Sequence, residues 1–294
     1  MLKAAVKEAC GFSMNTEITY RVFGENSAEA INFAEVELQR LESKLSRYRQ
    51  VSEVSEINGA AGKAQINISS EMCEILSCAI RISELTEGLY DITVGPLIDL
   101  WDYKHSVMPP KEEKINEARA KVNYHDLLLD DKKKTAGLIK EGQSIDLGGI
   151  GKGYASDCCI KTLRDNGASA AFINIGGNVA TLAYKPDGSP WNVGIRHPRR
   201  SGCLIGAVKV SGKAVVTSGD YERYFVDCEG KRWHHILNPS TGFPSESGLI
   251  SVTVVADSAM LADALSTAIF VAGIDKGLTY LNQFAGSEAI LVDN

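Results

Sequence analysis

Three segments carry residue types whose spacing suits chemistry at a phosphate. In DSAMLADALSTAIFVAG (257–273) the helix-forming stretch is apolar almost all round, which predicts burial, with Asp263 in its middle and Thr267 one turn later. Residues four apart share a helix face, so the carboxylate and the hydroxyl project together. A buried carboxylate needs a partner. Oxygen ligands one turn apart suit a hard cation such as Mg2+, which takes one or two carboxylates with substrate phosphates and water; an Arg or a backbone turn would serve equally. In SIDLGGIGKGYASD (144–157) a short strand is expected to end at Asp146, and Gly148, Gly149, Gly151 and Gly153 follow before an amphipathic helix. Such a turn lets backbone N–H groups approach a phosphate at a helix N-terminus, or is only a tight strand-to-helix connection. The spacing fits neither the Walker nor the dinucleotide-binding glycine pattern. In KRWHHILNPSTGFP (231–244) His234 and His235 lie on a strand-like run and point to opposite faces, so at most one is a general base while the other packs. No G-x-S-x-G element accompanies them.

These segments need a scaffold, and the pattern supplies one. MNTEITYRVFG places Ile18, Tyr20 and Val22 at period two and predicts a strand; Ile31, Ala34, Leu38, Leu41 and Leu45 recur at helical spacing after Ser27, the expected N-cap. A second helix is expected from Ser69 or Ser70 through Leu85, ended by Gly88, and a shorter one over Pro110 to Val122. Beyond that, nine short apolar runs from DLLLD to EAILV are parted by Gly, Pro and Asp turns and read as strands. Helices interrupt them at Gly153–Asp165, at Asp257–Val271 with Asp257 as N-cap, and at Asp275–Gln283. Strict β-α alternation is absent, so the expected class is α+β, with helices packed on largely antiparallel sheets, in one domain spanning 1–294.

Composition narrows the classes of function. With 294 residues, 31 Lys+Arg against 37 Asp+Glu and 44% hydrophobic residues, the chain reads as an enzyme-sized globular protein. Phosphate-backbone binding needs clustered cations, and the densest cluster, Lys132 to Lys134, follows Asp130 and Asp131, so it reads as a solvated turn and no nucleic-acid partner is expected. The longest uncharged stretch, Asn166 to Tyr184, is too rich in Gly and Asn to span a membrane. Lys3, Lys7 and Glu8 stand where a secretory leader would be apolar, so the expectation is a cytoplasmic protein, or an extracytoplasmic lipoprotein if a leader has been removed. Seven cysteines without metal-ligand spacing are expected to be reduced and mostly buried.

Taken in order, Met14 with Thr16, SRYRQVSEVSEIN (46–58), YDITVGPLIDLW (90–101), IDLGGIGKGYASD (145–157), INIGGN (173–178), VTSGDYERYF (216–225), HILNPSTGFP (235–244) and ADALSTAIFV (262–271) resemble the FAD:protein FMN transferases, the ApbE-type flavin transferases. The resemblance spans nearly the whole chain. It implies a T-fold-like α+β enzyme that binds FAD, uses Mg2+ and moves FMN onto a threonine hydroxyl of an acceptor flavoprotein, releasing AMP. By the same resemblance Asp263, Thr267 and the Gly149 carbonyl are metal ligands. Met14, Tyr48, Leu89, Tyr90, Asp91, Asp146, Lys152 and Ile250 fall on FAD-contacting positions, and His235 on the position given a catalytic role. Two departures stand out: the family's Met-Gly-Thr is Met14-Asn15-Thr16 here, and its frequent Asp-Pro turn is Asn238-Pro239.

Two rival readings keep the same residues. With water as acceptor the site becomes an Mg2+-dependent FAD pyrophosphatase giving FMN and AMP. A non-enzymatic flavin carrier would not need Asp263, Thr267 and His235 together.

Overall fold

The computed structural model describes residues 6–293; Lys3, part of the leader reading, lies outside the described residues. The N-terminal part runs β1 (Val6–Ser13), β2 (Thr16–Phe23), α1 (Ser27–Leu45), α2 (Glu53–Gly59), β3 (Ile66–Asn67), α3 (Ser70–Leu85), α4 (Gly95–Trp101) and α5 (Glu112–Arg119). There follow β4 (Leu127–Asp130), β5 (Thr135–Leu138), α6 (Gly151–Asp165), β6 (Ala170–Ile175), β7 (Asn178–Leu182), β8 (Trp191–Arg196) and β9 (Leu204–Val210). The chain continues with β10 (Ala214–Gly219), β11 (Tyr224–Val226), β12 (Arg232–His234), β13 (Leu249–Ala256), α7 (Ala259–Ala272), α8 (Ile274–Leu281) and β14 (Glu288–Asp293).

Seven strands form one sheet in the order β1-β2-β6-β7-β10-β13-β14, with every neighbouring pair antiparallel. The fold is therefore α+β. Successive strand residues face opposite sides. Ile173, Ala180, Val216 and Val252 thus enter the core under α1, α6 and α7, while Val179, Val215 and Val255 meet the β8–β9 ribbon through Trp191, Val193 and Ile195. Helix α7 lies against β10, β13 and α6. Covered on so many sides it cannot afford a polar stripe, and this is the burial its sequence predicts.

Two helix starts fall one residue from the sequence expectation. Asn26 rather than Ser27 holds the N-cap position of α1, and Ser258 rather than Asp257 caps α7, its hydroxyl accepting the Leu261 N–H. Gly88, at φ 81°, ends α3 by donating its N–H to the Ser83 carbonyl. Strand β1 gives no clean alternation because it is a largely exposed edge, and α2 and α4, seven residues each, are too short for helical periodicity to register. The lysine run forms the exposed turn between β4 and β5. All seven cysteines are free, but only Cys73 and Cys159 are buried; Cys10, Cys203 and Cys228 sit on an edge strand and in turns, which corrects the expectation of mostly buried thiols. Among the described residues no helix is long and apolar enough to cross a membrane.

Candidate active site

The site begins where α6 crosses α7. A Cβ on Gly153 would collide with the Ala259 carbonyl, so this glycine serves helix packing and not a phosphate. The close crossing lets a half-buried carboxylate and a buried one serve each other's helices. Asp157 of α6 accepts from the Ser258 hydroxyl (2.8 Å) and from the N–H groups of Ala259 (2.8 Å) and Met260 (3.0 Å) at the start of α7. Asp263 of α7 accepts from the Gly153 N–H (2.9 Å) at the start of α6. Both exploit the unpaired amides and positive end of a helix N-terminus. Asp263 is 3% exposed, and among the described residues no Lys or Arg pairs with it.

Thr267 follows on the same helix face, as expected, and its Oγ1 lies 3.3 Å from where a Cβ on Gly149 would stand. The Gly149 carbonyl accepts from the Tyr90 hydroxyl at 3.4 Å. Burial and then the negative Asp263 push the Tyr90 phenol well above its ordinary range, so it remains a donor. Asp263 and Thr267 thus lie one turn apart on α7, with Thr267 Oγ1 beside Gly149. Among the described residues no three His, Cys, Asp or Glu side chains cluster. A carboxylate, a hydroxyl and a carbonyl are nonetheless hard oxygen donors, the kind a divalent cation takes together with phosphate and water.

The glycine loop itself departs from expectation. No strand leads to Asp146; there is a single parallel bridge between Val94 and Ser144. Asp146 instead closes the loop locally, its Oδ1 accepting the Gly148 N–H (2.7 Å) while Oδ2 faces Arg47 Nη1 at 3.3 Å. Arg47 also reaches Asp99 at 2.6 Å. Lys152 Nζ donates to the Gly148 carbonyl at 3.1 Å. Beside this loop the Tyr48 ring is 75% exposed, flanked by Arg47 and Lys104 at 5.8 and 5.6 Å from its centroid, an open aromatic platform. Asp91 is buried and turned inward, Oδ1 accepting from the N–H and hydroxyl of Thr93, both at 2.7 Å; burial raises its pKa above the ordinary value. Leu89 packs beside the core.

Two tight hairpins end the sheet nearby. Met14 (φ 52°) and Asn15 (φ 59°) turn β1 into β2, and Gly176 (φ 56°) and Gly177 (φ 98°) turn β6 into β7. Two left-handed residues in succession are what a two-residue antiparallel hairpin demands, and Asn tolerates that region best after Gly. The departure at Asn15 therefore keeps the turn. A Cβ on Gly176 would collide with Thr16, so the two turns lie side by side. The adjoining Asn178 is buried with its Nδ2 lacking an acceptor among the described residues.

The neighbouring histidines divide sharply. β12 stops at His234, whose Nε2 lies 3.0 Å from the Ser245 carbonyl while Nδ1 accepts the Ile236 N–H. Both ring nitrogens are occupied, and burial lowers its pKa. His235 Nδ1 lies 3.1 Å from the Arg223 carbonyl. A carbonyl only accepts, so Nδ1 carries the proton and Nε2 keeps its lone pair. Desolvation of this half-buried ring, followed by Arg223, His234 and lastly Lys152, pushes it down to about 3. Ile250, on β13, lines a cleft of about 240 Å³ with Asp220, Arg232 and His234.

The structure joins Tyr90 to Gly149, sets Thr267 beside Gly149 and one turn from Asp263, and links Asp146 to Lys152 through Gly148; among the described residues no hydrogen bond ties His235 to this group. Met14 and Leu89 pack against the core and Ile250 lines the cleft beside His234, none of them hydrogen-bonded to these groups through its side chain. Sequence reasoning passed over Arg47 and Ser218, although both stand inside the motifs SRYRQ and VTSGD; no spacing rule singles them out.

The sequence pattern of the ApbE family matches residues 14–291. An FAD:protein FMN transferase of Klebsiella pneumoniae (strain 342) is 34% identical over 283 residues, covering 95% of this chain and 86% of the relative. The ApbE protein of Thermotoga maritima superposes with a TM-score of 0.88 at 35% identity, over 98% of this chain and 94% of that one. The flavinyl transferase ApbE of Pseudomonas stutzeri does so with a TM-score of 0.87 at 30% identity, over 100% and 93%. Near-complete coverage by sequence and by structure, over the elements that build this site, places the protein in the ApbE family.

Proposed function

We propose that the protein is an FAD:protein FMN transferase that moves FMN from FAD to a threonine hydroxyl of an acceptor flavoprotein and releases AMP. What supports this reading is Asp263 and Thr267 one turn apart on α7, Thr267 Oγ1 beside Gly149, and a His235 whose Nε2 has no partner among the described residues. Bound there, Mg2+ would neutralise the pyrophosphate charge as AMP leaves. The chain's own groups do the rest. Tyr48 offers a ring to stack on, and Met14, Leu89, Tyr90, Asp91, Asp146, Lys152 and Ile250 border the FAD.

The acceptor oxygen attacks the FMN phosphorus and forms the new P–O bond. The bond from that phosphorus to the bridging oxygen breaks, and AMP departs with the electron pair. The hydroxyl proton passes to His235 Nε2. A pKa near 3 makes a weak base of the ring in the free protein. An adjacent pyrophosphate opposes the repulsion from Arg223 and Lys152 and raises its proton affinity in the complex.

The test supplies FAD, Mg2+ and a threonine-bearing acceptor domain. The acceptor should gain one FMN, stay yellow after denaturation and be matched by an equal amount of AMP; replacing its threonine with valine should prevent labelling, because no nucleophilic oxygen remains. AMP and free FMN appearing at the same rate with and without acceptor would establish the pyrophosphatase instead.

A further inference from the structure

Strand β10 points Ala214 and Val216 into the core under the helices, and the next residue on that face, Ser218, meets α7 at the site. Its hydroxyl lies 2.8 Å from Ser266 Oγ and 3.1 Å from Thr267 Oγ1. Each hydroxyl has one proton, so the direction of these bonds can be counted. Ser266 donates its proton to the Asp263 carbonyl at 2.9 Å, and a carbonyl cannot return one. Ser266 therefore accepts from Ser218. With its only proton committed to Ser266, Ser218 accepts from Thr267. The Thr267 proton then points at β10, and its lone pairs are left for the side on which Gly149 stands.

We infer that Ser218 is a positioning residue that fixes the Thr267 hydroxyl as an oxygen donor to a divalent cation, an assignment that rests on the reading of Asp263, Thr267 and Gly149 as the cation cradle. Without Ser218 the Thr267 hydroxyl is free to turn its proton to the carbonyl one helical turn back, a common alternative for threonine in helices. Groups that orient a metal ligand from behind typically control about 10- to 100-fold in metal affinity.

The experiment titrates Mn2+ into the full chain in the presence of FAD and reads unbound Mn2+ by electron paramagnetic resonance against a protein-free FAD blank. Ser218→Ala should weaken Mn2+ binding by roughly tenfold or more. Ser218→Thr, which keeps the hydroxyl, should bind near the wild-type level. In a Thr267→Val background Ser218→Ala should add nothing, because residues acting through one another are non-additive. Unchanged binding in Ser218→Ala, or an equal loss in both backgrounds, overturns the role of Ser218 while leaving the cradle intact. Wild-type-like Mn2+ binding by Asp263→Ala, or no Mn2+ binding by the wild type, overturns the cradle itself and the proposal with it.

Discussion

Asp157, half-buried, and Asp263, buried, are carboxylates that face each other's helix N-termini across one helix crossing, and they end in opposite conditions. Asp157 accepts three hydrogen bonds, from Ser258, Ala259 and Met260, and its oxygens are saturated by the start of α7. Asp263 accepts one, from Gly153. The same electrostatics stabilises both charges, but only the second keeps capacity for a ligand. His234 and His235 repeat the contrast: one ring has both nitrogens bound to the backbone, the other has one. A polar group saturated by the fold holds structure together; a neighbour held by fewer bonds is available for chemistry.

The largest effect that could break this contrast is expected at Asp263. Asp263→Ala should lower FMN transfer by about 10³-fold or more, several kcal/mol, since loss of a charge-neutralising contact acts on the transition state. Its melting temperature should change little beside that loss. Rates near wild type across a magnesium titration would return Asp263 to a purely structural role. His235→Gln should slow transfer by about 10²- to 10⁴-fold while FAD affinity, followed by flavin fluorescence, stays close to wild type. A variant that loses FAD binding and turnover together would mean that the ring positions substrate and does not take the proton.

Asp157→Ala should do the reverse of Asp263→Ala. Removing an acceptor that satisfies buried donors should cost about 1–3 kcal/mol, visible as a lower urea midpoint, while folded protein keeps its transfer rate. If catalysis falls and stability does not, the two carboxylates are not divided as described.

The smallest effect concerns pH. Burial holds His234 below its ordinary value of 6.5 in the folded protein, so as pH falls the unfolded chain takes up the proton first. This contribution to stability is present above about pH 6.5 and declines below it, by at most about 1.4 kcal/mol per pH unit. Urea midpoints measured from pH 7.5 to 5 should fall less steeply in His234→Gln than in the wild type. Parallel profiles would show that His234 does not govern acid sensitivity.

Much of the scaffold could be read from periodicity, since the nine apolar runs are all strands and the Asp263 stretch is the buried helix. The errors are local in origin. Asp146 looked like the end of a strand because an apolar-polar run precedes a glycine cluster, whereas its carboxylate is engaged by the Gly148 amide and by Arg47, 99 residues away in sequence. Gly153 looked like part of a phosphate loop, and its reason for being glycine is the Ala259 carbonyl of another helix. Asn15, a departure from the family's glycine, holds the left-handed conformation there.

The sequence alone determined that Asp263 and Thr267 share a face of an apolar helix and that a glycine-rich turn opens α6, because helix periodicity and turn composition are properties of the local chain. Only the tertiary structure decided that Asp263 would be held by the Gly153 amide, that Gly149 would stand opposite Thr267, that Ser218 would order the hydroxyls behind it, and that His235 would keep its Nε2 free. Those outcomes depend on hydrogen bonds between elements far apart in sequence, and the direction of such bonds is fixed only when packing brings a donor and an acceptor to one place.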